Sequence, residues 1–164
     1  MPNAARTNAA RTAGSSSATQ GERTRAAILD AALRLVSKAG LDGLTIGTLA
    51  DATGMSKSGL FAHFGSRDGL LLAVLAHGQA QFGEVVFQPA MAKPRGLPRL
   101  RSLFVNWLDW TESAELPGGC PMIGGAAEFD DRPGPVRDML AGGQRTWIET
   151  LKRAVRQAIE ERQL

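Results

Sequence analysis

The sequence predicts an all-α protein, and three observations carry that prediction. Apolar residues recur at three- and four-residue spacing through most of the chain after residue 21. No run alternates convincingly with the two-residue period of a strand. Gly, Pro and capping Ser or Thr residues punctuate the periodic segments at helix-length intervals.

Residues 1–21 are mainly Ala, Asn, Arg, Thr, Gly and Ser without hydrophobic periodicity, so they bury too little surface to offset ordering and read as a flexible tail. From Glu22, the residues Ile28, Leu29, Ala32, Leu33, Leu35 and Val36 form one apolar face, and the helix ends near Gly40. Thr45 offers a cap to a second helix carrying Leu49, Ala50 and Ala52, which stops at Gly54. Ser56 caps a third with Leu60, Phe61 and Phe64, and Gly65 breaks it. Ser66 caps a fourth, with Asp68 in its first turn, whose apolar residues from Leu70 to Phe87 surround much of its circumference. Pro89, Pro94 and Pro98 are expected to end it. A fifth helix, about Leu97 to Ser113, is expected to turn Leu100, Leu103, Phe104, Trp107 and Leu108 inward. A short apolar stretch from Cys120 to Phe129 and a turn-rich segment, residues 130–135, lead into a last long helix carrying Val136, Met139, Leu140, Trp147, Ile148, Leu151, Val155 and Ile159.

Composition excludes several classes. With 164 residues and 43% hydrophobic content the chain suits one domain or a compact pair and is too apolar to be disordered. No apolar run approaches the roughly 18 uncharged residues of a membrane span. The N-terminus lacks the apolar segment of a secretory signal, and one cysteine, Cys120, rules out an intramolecular disulfide framework or a thiolate metal cluster. A cytoplasmic setting without membrane attachment is expected. Residues 1–65 hold seven Lys/Arg against four Asp/Glu, whereas residues 66–164 hold twelve of each, so the net +3 lies entirely in the first part. A basic N-terminal part points towards a polyanion partner.

The most informative segment is Leu49 to Phe64, two short helices joined by a glycine-containing turn of helix-turn-helix length. Small Ala50 lets the helices cross closely, Gly54 permits positive φ, and Leu49, Met55 and Leu60 fill the interior. Ser56, Lys57, Ser58, Gly59 and His63 then form a polar, basic face on the third helix, suited to the major groove. An αα hairpin facing solvent is the competing reading of these residues alone.

Residues 22–75 as a whole resemble the N-terminal DNA-binding domain of the TetR family of bacterial transcriptional repressors. The matching residues are Arg25, Ile28, Leu29, Ala31, Ala32, Leu35 and Gly40, then Thr45, Leu49, Ala50, Gly54 and Ser56, then Leu60, Phe61, His63, Phe64, Ser66, Arg67, Leu70 and Leu71. Gly118 to Asp138 resembles, less specifically, a stretch in the regulatory domains of some members. The resemblance implies a helix-turn-helix DNA-binding domain at 22–66 and a helical ligand-binding, regulatory domain at 67–164. It implies a sequence-specific transcriptional regulator, a repressor released from a palindromic double-stranded operator by an unidentified small molecule. By the same resemblance Thr45 caps the second helix and holds a phosphate, Lys57 meets phosphate or a base, and Ser56, Ser58, Gly59 and His63 face the groove. Arg67 would clamp backbone phosphate. Phe61 stands where members often carry a tyrosine, which removes one phosphate hydrogen bond.

In the second half, Phe82, Phe104, Trp107, Trp110, Met122, Met139 and Trp147 are large and adaptable enough to line a ligand pocket, with ordinary core as the alternative. Cys120 reads as a small buried hydrophobe, a pocket residue or a redox switch. Catalysis is not expected. Gly54, Ser56 and Ser58 miss the nucleophile-elbow spacing, and Glu128, Asp130 and Asp131 border a turn that favours Asp for local reasons. His63 and His77 lack acidic or thiol companions, so neither a metal nor another cofactor is expected. Family members usually dimerise through their last two helices. The sequence ends at Leu164, so the expectation is a homodimer weakened by a shortened regulatory domain. The alternative is a small-molecule-binding or interaction module whose truncated body no longer binds an operator productively.

Overall fold

The computed structural model describes residues 19–164, so all but the last three residues of the expected tail lie outside the described residues. Eight α-helices follow one another, and no strand occurs among the described residues. They are α1 Gln20–Ala39, α2 Ile46–Thr53, α3 Lys57–Phe64, α4 Arg67–Phe82, α5 Gln88–Met91, α6 Leu97–Thr111, α7 Pro121–Glu128 and α8 Pro135–Glu160.

The first helix starts two residues before its expected position. Thr19 accepts the Glu22 N–H at 3.2 Å while the Glu22 carboxylate accepts the Thr19 N–H at 2.6 Å, a reciprocal capping box. The same reciprocity recurs between Thr45 and Thr48 at the start of α2. Ser56 and Ser66 cap α3 and α4 by accepting the N–H of Gly59 and Gly69. Gly54 ends α2 in the left-handed conformation, φ 68° and ψ 13°, which a side chain would disfavour.

The fourth helix departs from expectation. Pro89 does not end it, and the helical path runs on from Arg67 to Met91 through a π-helical turn at Gly83–Phe87. A proline inside a helix clashes with the carbonyl four residues back and removes a donor. The wider ladder, in which Gln88 N–H bonds Gly83 O, precedes that proline, and Asn106 of α6 donates to the Val86 carbonyl at 3.2 Å. Arg67–Met91 is long and apolar enough, by length and composition, to cross a membrane. The expectation of no long uncharged run still holds, since Asp68 and Glu84 interrupt the stretch, and Leu70, Leu71, Val74 and Leu75 are buried in the main core.

Two further corrections concern the second half. Cys120 to Phe129 is not merely an apolar stretch, since Pro121–Glu128 forms α7. In α6, Leu103 and Trp110 are buried, whereas Phe104 is 53% exposed and Leu108 also faces outward.

One apolar cluster runs from Ile28 in α1 through Leu49 and Leu60 to Trp110, Phe129 and Leu140, so the 22–66 and 67–164 segments share a core. A smaller cluster joins Ala90, Leu103 and Ala154. Polar ties reinforce the junction. The buried Ser37 hydroxyl donates to Gly119 O at 2.9 Å and accepts the Gly118 N–H at 2.8 Å. On α4, His77 Nε2 and Gln81 Nε2 meet Asp30 of α1 at 2.6 and 2.8 Å.

Candidate nucleic-acid interface and ligand cavity

Helix α3 buries Leu60 and Phe64, one turn apart, against α2 and α4, and this fixes which side faces outward. Lys57, Ser58, Phe61 and His63 are exposed, while Gly59 is half-buried beneath the Ser56 cap. Phe61 is 56% exposed although Leu60 and Phe64 of the same helix pack inward. An aromatic ring left in water on a basic helix face can cover a thymine methyl group. Arg25 of α1 stacks its guanidinium over Phe64, 5.1 Å from the ring centroid, bracing α3 from behind.

The start of α2 adds a second feature. Among the described residues, the N–H groups of Ile46 and Gly47 have no protein acceptor, as expected in the first turn of a helix. The Lys57 ammonium lies over this turn, 4.0 Å from the point where a Gly47 side chain would begin. Two free amides, a helix dipole and a mobile cation thus converge beside Thr45, an arrangement that favours an anion. Lys57 makes no ion pair among the described residues.

Arg67, expected at a backbone phosphate, has protein partners at the start of α4. Its Nη2 donates to Asp42 Oδ1 at 2.9 Å and to Leu41 O at 3.4 Å, so it clamps the α1–α2 loop. Arg132, from the turn before α8, joins the same carboxylate at 2.8 Å. The Asp42 carboxyl is held below its ordinary pKa of 3.8, chiefly by the Arg132 hydrogen bond and then by that of Arg67.

A cavity of about 490 Å³ lies between α4, α6, α7 and α8. Five of the expected residues line it: Phe82, Trp107, Met122, Met139 and Trp147. Two do not. Trp110 is 7% exposed and packs edge-on behind Phe82 at 5.9 Å, and Phe104 points to the outer side of α6. Cys120 is half-buried and stands in the cavity wall.

Sequence reading missed Gln79, Phe87 and the glycines Gly142 and Gly143. Phe87 is invisible to α-helical periodicity. Residues five apart diverge on an α-helix, but the π turn brings Phe82 and Phe87 together with ring centroids 5.5 Å apart. Among the described residues, no group of three or more His, Cys, Asp or Glu residues is placed to hold a metal.

Residues 28–74 match the family model for bacterial regulatory proteins of the tetR family, and residues 96–164 match that for the tetracyclin repressor-like C-terminal domain. Over 70 residues the chain is 34% identical to the HTH-type transcriptional repressor AcnR of Corynebacterium glutamicum, covering 43% of this chain and 37% of that protein. The matched segment therefore spans well under half the length of that relative. Among solved structures, the chain resembles AibR in complex with isovaleryl coenzyme A and operator DNA, at 26% identity and a TM-score of 0.68, over 84% of this chain and 73% of that one. A TetR transcriptional regulator from Chloroflexus aurantiacus gives 25% identity and a TM-score of 0.75, over 87% and 72%. With both halves matched by models of one family on a shared fold, the chain belongs to the TetR family.

Proposed function

We propose that this chain is a sequence-specific DNA-binding regulator of transcription, a repressor that leaves its operator when a small molecule enters the cavity. One observation carries the reading. Helix α4 begins at the helix-turn-helix unit, where Arg67 grips the α1–α2 loop, and its far end supplies Gln79 and Phe82 to the cavity wall. A ligand that moves one end has a direct mechanical route to the other.

In this reading α3 enters the major groove with Ser58, Phe61 and His63 towards base edges. Thr45, Ser56 and Gly59 hold the geometry of the two helix starts. The α2 amides and Lys57 grip a phosphate. Arg67 has Nη1 left for a second phosphate while Nη2 stays on Asp42. A palindromic operator requires two such heads, hence a homodimer. The work is cytoplasmic and involves no catalytic step.

The test is fluorescence anisotropy of the purified chain with duplex DNA from upstream of its own gene and a scrambled duplex, at two salt concentrations. Selective, salt-sensitive binding supports the reading. Equal binding to both duplexes, or none, overturns it and favours a module that binds a small molecule alone.

A further inference from the structure

The cavity wall carries more chemistry than the reading above uses. Among the described residues, no Asp, Glu, Lys, Arg or His side chain lines it. An ion entering it would shed water without meeting an opposite charge in the lining; the Arg145 guanidinium beside Gly142, Nη2 3.9 Å from where a Cβ there would stand, is exposed to solvent. Its volume of about 490 Å³ lies within the roughly 300–1,000 Å³ of sites that enclose small organic molecules.

The aromatic part of the wall is pre-set. Phe82, Phe87 and Trp147 hold one another edge-to-face, with centroids 5.4 to 5.6 Å apart. Such mutual packing fixes ring orientations before any ligand arrives and offers π surface to a flat guest. Met122 and Met139 complete the wall with flexible side chains that adapt to its outline.

One polar group stands out against this surface. The Gln79 side-chain amide lines the cavity and has no protein hydrogen-bond partner among the described residues. It is seated over Gly143, whose missing side chain leaves the room: a Cβ there would stand 2.9 Å from Gln79 Nε2. The single donor of Thr146 is already used, on Gly142 O at 3.0 Å. Gln144 is exposed at the rim. Gln79 thus offers two N–H donors and a carbonyl acceptor that a ligand can satisfy.

We propose that the cavity takes a neutral, flat, largely apolar molecule bearing a single hydroxyl or carbonyl group, and that Gln79 reads that group. The inference deepens the ligand-released reading and rests on it for its regulatory meaning, but the binding chemistry stands on the wall alone.

The experiment titrates the full chain with 2-naphthol, naphthalene, 2-naphthoate and 2-naphthylmethylammonium, read by tryptophan emission and by thermal unfolding. Trp107 and Trp147 in the wall report occupancy directly. The expected result is saturable binding of 2-naphthol with a raised Tm, and binding of both ions at least about tenfold weaker. Gln79→Leu is expected to weaken 2-naphthol about tenfold and leave naphthalene unchanged. Gln79→Glu, which keeps the side-chain shape, is expected to turn preference towards the ammonium probe, so a poorly folded leucine variant does not decide the matter.

Either ion binding as tightly as 2-naphthol, 2-naphthol binding that is unchanged in both Gln79 variants, or no probe binding to the folded chain overturns the inference. The same titration on the DNA complex separates it from the regulatory reading. If 2-naphthol saturates the cavity without releasing DNA, ligand release fails and the cavity chemistry stands. If only a charged probe releases DNA, ligand release stands and the cavity chemistry fails.

Discussion

Glu128 holds Asp42 by its backbone: carboxylate Oε2 accepts the Asp42 N–H at 2.9 Å, while Oε1 accepts that of Leu41 at 3.1 Å. The last turn of α7 therefore caps the loop that leads into α2. The other end of α7 supplies Met122 and Ile123 to the cavity. One short helix thus touches both the ligand space and the reading head. Replacing Glu128 by Ala removes two hydrogen bonds to a charged acceptor, so stability is expected to fall by about 1–3 kcal/mol, and Glu128→Gln by less. Urea unfolding of the two variants measures it, and equal stability of Glu128→Ala and wild type would refute the tie.

The neighbouring contact between α1 and the α6–α7 loop makes a similar demand. Ser37 is a buried polar residue, satisfied by Gly118 N–H and Gly119 O together. Ser37→Ala leaves both backbone groups unpaired and is expected to lower stability by about 1–3 kcal/mol. Ser37→Thr keeps the hydroxyl but adds a methyl group at a buried position, and is expected to fall between wild type and the alanine variant. Thermal unfolding ranks the three.

The residues that announced themselves in the sequence are those whose role is local. Thr45, Ser56 and Ser66 cap helices because a side-chain oxygen satisfies an amide three positions on, and Gly54 turns because it lacks Cβ. The periodicity of α3 likewise gave the outward face of Lys57, Ser58 and His63. What stayed hidden depends on distant partners. Helix α7 holds two glycines that local propensity rejects, yet Gly125 is required where its backbone meets Leu41: a Cβ would stand 2.5 Å from Leu41 Cδ1. Phe104 belongs to an apolar stripe on α6 too wide for the covered face, so composition alone could not place it outside. The π turn that pairs Phe82 with Phe87 has no signal in a period of 3.6 residues. Thr19 was read with the tail before it, and its capping role shows only through its exchange of hydrogen bonds with Glu22.

Asp42 sets an acid limit on the junction between head and body. Because Arg132 and Arg67 favour its charged form, its pKa in the folded chain lies below the ordinary 3.8. A lowered carboxylate pKa contributes stability that is present above 3.8 and lost as pH falls through the folded value. Asp42→Asn is therefore expected to flatten the acid limb of Tm against pH. Both variant and wild type still share the limb due to Glu22, lowered by its bonds to Thr19. An acid limb of unchanged steepness in the asparagine variant would show that the two arginines do not act through this carboxylate.

Lys57 separates grip from reading. From the sequence it fits phosphate or base equally, but its ammonium lies over the first turn of α2, beside the free amides of Ile46 and Gly47, where an anion is already favoured. Lys57→Ala is therefore expected to weaken matched and mismatched duplexes alike and to reduce the slope of log affinity against log salt by about 0.9, the loss of one phosphate contact. Phe61→Ala is expected to do the opposite, leaving the slope unchanged and narrowing the preference for the matched duplex. Anisotropy titrations at several salt concentrations distinguish the two. A Lys57→Ala protein that keeps the wild-type salt slope and loses about 1–3 kcal/mol of discrimination at one base pair would move the lysine from the backbone to the base edge.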